Sequence, residues 1–287
     1  MVYPIRTVRI AYQGEPGAYS EAAALRFIDH ADLLACESFE QVFEAVDQGK
    51  ATHGVLPVEN SIGGSIHRNY DLLLEHDLPI VGEVQLVVTH NLMALPGTRI
   101  DDLTRIYSHP QALAQCERFL RALPHVAVEA TYDTAGSAKL VKEKQLVGAG
   151  AIASERAAQV FGLEILKAEI QDFSDNITRF LVVSRVADPD PLVDKTTVVF
   201  SLPNEPGALF KALSVFALRD IDLTKIESRP IRGRPWEYLF YVDLPLGRHD
   251  LRCSRALIHL AEFARSMRTL GSYKSWKSRE AATATQV

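Results

Sequence analysis

The sequence has few cysteines, no excess of positive charge and no long hydrophobic run. Its three cysteines, Cys36, Cys116 and Cys253, are far apart in 287 residues and form neither a CxxC pair nor a zinc-ligand spacing. Lys and Arg total 31 against 36 Asp and Glu, a net charge of -5, so neither nucleic acid nor a membrane surface is predicted as a partner. No run of about 18 apolar residues is present, which excludes a predicted transmembrane helix.

Signals for secretion and for cofactors are missing as well. The first residues contain no apolar segment of the kind found in signal peptides. Scattered cysteines are typical of a reducing compartment, where they act as small buried apolar residues, and by elimination the sequence predicts a cytoplasmic protein. GxGxxG, GxxxxGK[ST], GxSxG and HExxH are all absent. The sequence therefore predicts no cofactor and no metal.

Short apolar strands alternate with helical segments along the first two thirds of the chain, which predicts an open, largely parallel α/β sheet. Whether this region, 7–186, is one large domain or two small lobes stays open. The stretch 187–194, ADPDPLVD, contains two Asp-Pro pairs and predicts a linker. Residues 195–276 then follow the order βαββαβ of a ferredoxin-like domain. The remaining residues, 277–287, are predicted to be a disordered tail.

Four small-residue turns follow predicted strands and precede predicted helices. In open α/β sheets, ligands bind beyond the carboxyl ends of the strands, and helix N-termini attract anions. Convergence of all four turns would create a cleft for a small ligand that carries carboxylates, although each turn alone could be an ordinary helix cap. Only His109 among the nine histidines lies in such a turn, where a structural hydrogen bond is its commoner role. The turns are Gly14–Glu21, Glu59–Ser65, Ser108–Gln111 and Asp133–Ala138.

The run DNITRF at 175–180 resembles the threonine-arginine-phenylalanine signature of prephenate dehydratases. The match covers about residues 8–276. The stretch before Val8 is too short for a chorismate mutase domain, so the chain is similar to the monofunctional type. In the small domain the motifs resemble the ligand motifs of a phenylalanine-binding ACT domain. The further motifs, in the family's order, are GEPGAYSE at 14–21, PVENSIGG at 57–64, YSHPQ at 107–111, PNEPGAL at 203–209 and ESRP at 227–230.

The resemblance implies a two-lobed, periplasmic-binding-protein-like α/β catalytic domain with its active site in the cleft between the lobes. It also implies an ACT domain that binds phenylalanine between paired subunits of a homodimer or dimer of dimers and lowers activity. The implied reaction is the loss of water and carbon dioxide from prephenate, which gives phenylpyruvate for phenylalanine biosynthesis. Arogenate dehydratase, which acts on the transaminated substrate, is an alternative that the motifs do not separate. A non-catalytic metabolite sensor is a rival of another class.

By the same resemblance, Thr178 donates a proton or a hydrogen bond to the departing hydroxyl. In a regular strand Thr178 and Arg179 point to opposite faces, so both reach a ligand only where the backbone is irregular. Otherwise Arg179 makes a structural ion pair, and Glu59 has the alternative role of a loop anchor. The expected catalytic residues are Thr178, Arg179, Glu59, Asn60 and Gln111, and the expected substrate-binding residues are Ser61, Gly63, Gly64 and Ser108.

The ACT motifs imply an effector site in the small domain. Gly207 permits close backbone approach at the start of a helix, where the carboxylate of the effector could bind. The alternatives are a Pro-Gly turn without a ligand at this position and a surface charge at Arg229. The expected effector-binding residues are Asn204, Gly207, Ala208, Leu209, Glu227, Ser228, Arg229 and Pro230.

Overall fold

The structure is a computed structural model that describes residues 8–284. The chain divides into two compact units. The first comprises the described residues up to His76 together with Val84–Leu181, and the second comprises Asp77–Glu83 with the described residues from Val182 onward. Neither unit is one continuous stretch of chain, and the predicted linker 187–194 lies inside the second unit.

The first sheet contains six strands in a mixed parallel and antiparallel arrangement, so the prediction of a largely parallel sheet was wrong for it. They are β1 (Arg9–Gln13), β2 (Asp32–Cys36), β3 (His53–Asn60), β4 (Gly64–Ser65), β5 (Ile80–Val87) and β11 (Ile177–Ser184). Their order is β2-β1-β3-β11-β5, with β4 paired to β3, and β1 runs parallel to both of its neighbours. The strand β2 was not predicted from the sequence.

The second sheet contains five strands. They are β6 (Asn91–Ala94), β7 (Arg105–Ser108), β8 (Ala127–Ala130), β9 (Ala149–Ala153) and β10 (Glu164–Lys167), in the order β10-β6-β9-β7-β8. The strand β7 is parallel to β8 and β9, whereas β6 is antiparallel to β9. Because β5 leads to β6 and β10 leads back to β11, the chain crosses twice between the sheets. This is the two-lobed α/β architecture that the resemblance implied.

Seven α-helices accompany these sheets. They are α1 (Tyr19–Phe27), α2 (Phe39–Asp47), α3 (His67–Glu75), α4 (Pro110–Gln115), α5 (Glu117–Arg121), α6 (Thr134–Glu143) and α7 (Glu155–Phe161). Ser38 begins α2 by accepting a hydrogen bond from the Gln41 backbone N–H, and the apolar face of the helix is buried. The strand β9 is buried at all five positions, as expected for a strand covered on both faces.

The second unit contains an antiparallel sheet with two helices. Its elements are β12 (Lys195–Ser201), α8 (Ala208–Ala217), β13 (Lys225–Pro230), β14 (Tyr238–Leu244), α9 (Leu251–Phe263) and β15 (Ser266–Tyr273). The sheet order is β13-β14-β12-β15, and the chain order confirms the predicted βαββαβ pattern. The helix α9 ends at Phe263, and the chain enters β15 at Ser266.

The prediction of a disordered tail over 277–287 was wrong for the residues up to Ala284. These residues continue α10 (Trp276–Ala284), while 285–287 lie outside the described residues. The start of α10 is anchored by groups that are distant in sequence. The Trp276 backbone N–H donates to Glu83 Oε1 at 3.0 Å, and the Ser278 hydroxyl donates to Asp194. Trp276 is buried, so the first residue of α10 packs against the rest of the second unit.

The three cysteines are buried and form no disulfide. Burial raises the pKa of the Cys116 thiol to about 12 and also raises the pKa of Cys36 and of Cys253. A thiol that is not ionised is a poor nucleophile and a poor metal ligand. Across residues 8–284, no cluster of His, Cys, Asp or Glu side chains has the arrangement of a metal site. No helix in the same range is long and apolar enough to cross a bilayer.

A buried cluster of charges lies within the second unit. Lys195 Nζ is 2.9 Å from Glu83 Oε2 and 3.7 Å from Asp243 Oδ2. The lysine side chain is 11% exposed and the two carboxylates are almost fully buried. The Thr197 hydroxyl also donates to Asp243 Oδ1 at 2.7 Å. Charges this deeply buried depend on one another, because none of them has ready access to water.

We expect Lys195→Met to lower the free energy of unfolding by about 3–5 kcal/mol, because two buried carboxylates lose their cation. Arg99→Met is the matched control, since Arg99 and Asp101 form a pair at 3.7 Å that is 78% and 85% exposed. The control should change the free energy of unfolding by less than about 0.5 kcal/mol. Chemical denaturation of both variants measures the difference. Equal, small effects would show that the buried cluster does not stabilise the unit.

Candidate active site

A cleft of about 440 Å³ lies in the first unit, between loops that follow the strands of the two sheets. Its walls are largely formed by the ends of strands and the first turns of helices. These are the positions where open α/β sheets bind ligands. The described residues that line it are Gln13, Ala18, Tyr19, Ser20, Glu37, Ser38, Phe39, Glu40, Pro57, Asn60, Ile66, Val88, His90, His109, Gln111, Ala112, Gln115, Tyr132, Asp133, Thr134, Thr178 and Phe180.

All four turns that the sequence singled out contribute to this cleft. They contribute through Ala18, Asn60, Gln111 and Asp133, among others. A fifth helix start, that of α2 at Ser38, joins them and was missed because β2 was not predicted. The helices α2, α4 and α6 are each capped by a side chain, whereas α1 and α3 begin at Ala18 and Ile66 without a side-chain cap. The N-termini of α1 and α3 are therefore the best placed of the five to bind carboxylates of a ligand.

The charges of the cleft are mainly negative. Three carboxylates line it, those of Glu37, Glu40 and Asp133, and no Lys or Arg is among its described lining residues. A hydrogen bond to its own backbone N–H, followed by one to Arg68, lowers the pKa of Glu40. Asp133 accepts hydrogen bonds from two backbone N–H groups at the start of α6 and at Glu15. Anionic groups of a ligand must therefore be bound by backbone N–H groups and neutral side chains.

Asn60 is held in one orientation at the base of the cleft. Its Oδ1 accepts hydrogen bonds from the backbone N–H groups of Ile62 and Gly63, at 3.1 and 2.7 Å. A backbone N–H can only donate, so this atom must be the oxygen of the amide. Nδ2 then donates to Asn176 Oδ1 at 2.7 Å and to Thr178 Oγ1 at 3.0 Å. Because the Thr178 oxygen already accepts a hydrogen bond here, its own O–H proton is available to a ligand.

Thr178 and Arg179 lie on opposite faces of β11, which runs unbroken from Ile177 to Ser184. Thr178 and Phe180 line the cleft, as their spacing of two residues requires. Arg179 is buried but is not among the lining residues. The irregular backbone that would bring both side chains to a ligand is not observed, so this geometry does not support a contact between Arg179 and a substrate.

Of the remaining expected site residues, some line the cleft and others do not. Asn60 and Gln111 line the cleft, whereas Glu59 does not. The Ser61 hydroxyl donates to the Asp175 carbonyl and accepts from the Ile177 N–H, so it fixes the start of β11. Ser108 is fully buried and donates to the Ile152 carbonyl at 2.7 Å. Neither hydroxyl is placed to bind a substrate.

The two glycines of the same turn lie beside the cleft and do not line it. A Cβ added at Gly63 would collide with the Gln111 amide, so glycine is needed there for the close approach of that side chain. Gly64 has φ +76°, a left-handed conformation that glycine adopts without strain. Their role in this geometry is to shape the turn that holds Asn60.

Four polar residues near the base of the cleft were missed. Gln115 follows Gln111 by four residues, so the helical period could have placed both on one face of α4. Asn176 precedes Thr178 by two residues, so strand alternation could have placed it on the same side of the chain. Tyr19 lies inside the predicted turn 14–21, but no pattern distinguished it. His90 had no signal in the sequence, because it follows β5 as an isolated histidine.

A smaller depression lies in the second unit. It includes Asn204, Ala208 and Leu209 of the expected effector residues, and Gly207 adjoins it as the N-cap of α8 with φ +79°. Glu227, Ser228, Arg229 and Pro230 form most of β13 and are not among its lining residues. The depression is lined by Leu202, Pro203, Asn204, Glu205, Ala208, Leu209, Trp236, Glu237, Tyr238 and Phe240.

Comparison with known families and curated proteins identifies close relatives. The prephenate dehydratase family model matches residues 10–188 and the ACT domain model matches residues 196–248. The chain is similar to arogenate dehydratase/prephenate dehydratase 2, chloroplastic, of Arabidopsis thaliana, with 52% identity over 93% of this chain and 72% of the relative. It is similar to arogenate dehydratase 2 of Petunia hybrida, with 51% identity over the same shares of the two chains.

Solved structures that resemble the whole chain include two with a TM-score of 0.86. One is prephenate dehydratase from Arthrobacter aurescens in complex with L-Phe, with TM-score 0.86, 32% identity and 97% of each chain covered. The other is GqqA, described as a novel type of quorum quenching acylase, with TM-score 0.86, 36% identity and 93% and 98% of the two chains covered. The likeness to the first confirms the expected combination of a two-lobed catalytic domain and an ACT domain.

The expectation of a cytoplasmic location was wrong by this comparison, because relatives with about half of their residues identical are chloroplastic enzymes. The elimination relied on cysteine usage and on the absence of apolar segments. Those properties are shared by proteins of any reducing compartment. Composition alone therefore did not select a compartment.

We expect Asn60→Asp to lower turnover of the dehydratase substrates at least about 10²-fold, because a carboxylate oxygen would replace the donor that faces Thr178. The Thr178 hydroxyl would then turn toward the new acceptor and away from the ligand. Asn91→Asp is the control, since Asn91 is buried outside the cleft. Steady-state kinetics on folded protein measures both variants. A similar loss in both would assign the effect to burial of a charge and not to the orientation of Thr178.

Proposed function

We propose that this chain, which belongs to the prephenate dehydratase family, acts as an arogenate dehydratase that forms phenylalanine directly. The observation that carries the choice of substrate is the charge of the cleft, which has three carboxylates and no Lys or Arg among its described lining residues. Arogenate carries an ammonium group where prephenate carries a keto oxygen. The ammonium group gains from nearby carboxylates, and the keto oxygen does not. The names of the plant relatives favour the same substrate.

The proposed reaction removes water and carbon dioxide from one molecule. The bond from the ring to its carboxylate breaks, and its electron pair completes the aromatic ring while the hydroxyl on the opposite carbon departs. That hydroxyl departs with developing negative charge while it accepts a hydrogen bond, and a proton from solvent completes the molecule of water. The gain of aromaticity makes the reaction strongly favourable, so no redox partner and no electron acceptor are required. The protein must bind two carboxylates, orient the ring and assist the departing oxygen.

Thr178 is the group that we propose assists the departing hydroxyl. Its oxygen accepts from Asn60, which leaves its proton directed to a ligand. A threonine hydroxyl is a weak acid, so it acts as a hydrogen-bond donor whose interaction strengthens as negative charge develops on the leaving oxygen. Gln111 lies in the same cleft and supplies further hydrogen-bonding groups. The N-terminus of α1 binds one substrate carboxylate.

Three other functions remain as outcomes of the tests. A prephenate dehydratase would use the same Thr178 and Asn60 and differ only in its preference for the side chain of the substrate. An acylase would need a nucleophile activated by a base. Among the described contacts of the cleft, His90 meets Tyr19 and Gln115, and His109 caps α4, so neither is paired with a Ser or Cys side chain. A metabolite sensor would bind without turnover.

We expect purified protein to convert arogenate to phenylalanine with a higher kcat/KM than prephenate to phenylpyruvate. Glu37→Gln should move this ratio toward prephenate by up to about fivefold, as expected for one solvent-exposed charge pair. Glu117→Gln, on the exposed helix α5, is the control and should leave the ratio unchanged. Chromatography of both products from a mixture of the two substrates measures the ratio. Equal or greater use of prephenate would assign the prephenate reaction instead, and no product from either would favour a sensor.

We further propose that the second unit binds L-phenylalanine and lowers activity, in a dimer or dimer of dimers of this chain. The solved relative with bound L-Phe and the ACT domain match support this proposal. The left-handed Gly207 starts α8 beside the depression lined by Asn204, Ala208 and Leu209. Its bare backbone and the helix N-terminus together suit the carboxylate of an amino acid. Inhibition requires that phenylalanine bind the less active state more tightly.

We expect Gly207→Val to relieve inhibition by phenylalanine while the uninhibited rate stays within about twofold, because the branched side chain would occupy the approach to α8. A positive φ strains any valine, so the control must carry the same strain. Gly97→Val supplies it, since Gly97 has φ +83° and equally open surroundings in the first unit. Inhibition curves and light scattering with and without phenylalanine test the site and the assembly. Unchanged sensitivity in Gly207→Val would place the effector elsewhere.

A further inference from the structure

The hydrogen bonds that orient Thr178 continue beyond Asn60 to two further amides, and in each of these bonds the donor and the acceptor can be assigned. Asn60 Nδ2 donates to Asn176, so the accepting atom of Asn176 is its oxygen and its nitrogen faces the other way. That nitrogen donates to Gln115 Oε1 at 2.9 Å. The nitrogen of Gln115 in turn approaches Asn60 Oδ1 at 3.5 Å. The backbone N–H groups that fix Asn60 therefore determine the orientation of all three amides.

The orientation of the Gln115 amide determines which nitrogen of His90 carries a proton. Its Nε2 lies 2.8 Å from Gln115 Oε1, and that oxygen can only accept. Nε2 must therefore carry a proton, in the neutral ring and in the charged ring alike. The residue is only 2% exposed, and burial lowers the pKa of His90 despite the hydrogen bond to Gln115. The neutral form with a proton on Nε2 is thus favoured.

Tyr19 holds the opposite edge of the imidazole. Its hydroxyl lies 3.0 Å from His90 Nδ1 and also next to the Thr89 carbonyl, and its single proton can be donated to either of these two acceptors. The Tyr19 and His90 rings meet edge to face with centroids 5.8 Å apart. These contacts fix the plane of the imidazole, and with it the direction in which Nε2 donates.

We propose that His90 is a positioning residue for the dehydration, which acts on Thr178 through Gln115, Asn176 and Asn60. It lies in the first crossover between the lobes, and Asn176 lies in the second, just before β11. Donation from His90 occupies one side of the Gln115 oxygen and holds that amide against Asn176. Without the His90 donor, the Gln115 amide can rotate. The amides of Asn176 and Asn60, which direct the Thr178 proton into the cleft, are then no longer held in a single orientation. The inference rests on the proposed role of Thr178.

The test compares His90→Leu, which removes the donor, with His90→Gln, whose Nε2 can reach the position of the imidazole Nε2. We expect His90→Leu to lower kcat by about 10–100-fold, the loss typical of a misplaced catalytic group, with KM changed less than about threefold. His90→Gln should stay within about fivefold of the parent. If the leucine variant does not fold, His90→Met replaces it. Equal losses in the glutamine and apolar variants, or a kcat near that of the parent in the apolar variant, would overturn the proposal.

A double-mutant cycle separates this inference from the role of Thr178 itself. If His90 acts through Thr178, His90→Leu should cost less than about twofold further in kcat once Thr178→Val is present. A further loss as large as in the parent would show that His90 acts independently and would overturn the inference alone. Near-parental turnover by the single variant Thr178→Val would instead overturn the proposed role of Thr178. The two failures therefore give different results.

Discussion

Two backbone N–H groups, those of Ile62 and Gly63, hold the amide of Asn60 in a single orientation, and the reaction that we propose for the cleft depends on that contact. A side-chain amide without these two hydrogen bonds could present either its oxygen or its nitrogen to Thr178. With the oxygen occupied, only the nitrogen faces the threonine. The Thr178 hydroxyl can then donate its own proton in a hydrogen bond to a ligand in the cleft. In the proposed reaction, the orientation of this weak acid, and not a shifted pKa, lets it assist the leaving group.

The two-lobed architecture explains how such a chain of amides can be assembled. Asn60 comes from the end of β3 in the first sheet, and Gln115 comes from α4 beside the second sheet. His90 and Asn176 belong to the two crossovers that join the lobes. Each partner is separated from the next by 25 to 116 residues along the chain. Residues that are distant in sequence thus meet at the base of the cleft, where the crossovers bring the strand ends together.

The sequence predicted the features that are encoded locally. Short-range patterns predicted the signature around Thr178, the four turns and the βαββαβ order of the second unit. Strand alternation also predicted that Thr178 and Arg179 point to opposite faces of a regular strand. Residues whose role depends on distant partners escaped prediction. Ser108 lies in a motif, yet its hydroxyl is used by the Ile152 carbonyl, and His90 lies in no motif, yet it meets Gln115. The helix α10 was missed because the buried Glu83 that anchors Trp276 is 193 residues away.

Turnover of the variants Thr178→Val and Thr178→Ser tests the central claim most directly. Valine keeps the shape of threonine and removes the hydroxyl, whereas serine keeps the hydroxyl and removes a methyl group. With both proteins folded and similarly stable, Thr178→Val should lose about 10²–10⁴-fold in kcat, the usual contribution of proton-transfer assistance. Thr178→Ser should stay within about tenfold, since it loses positioning but not the donor. Near-parental turnover by the valine variant would contradict the account, because Thr178 would then only pack within its strand.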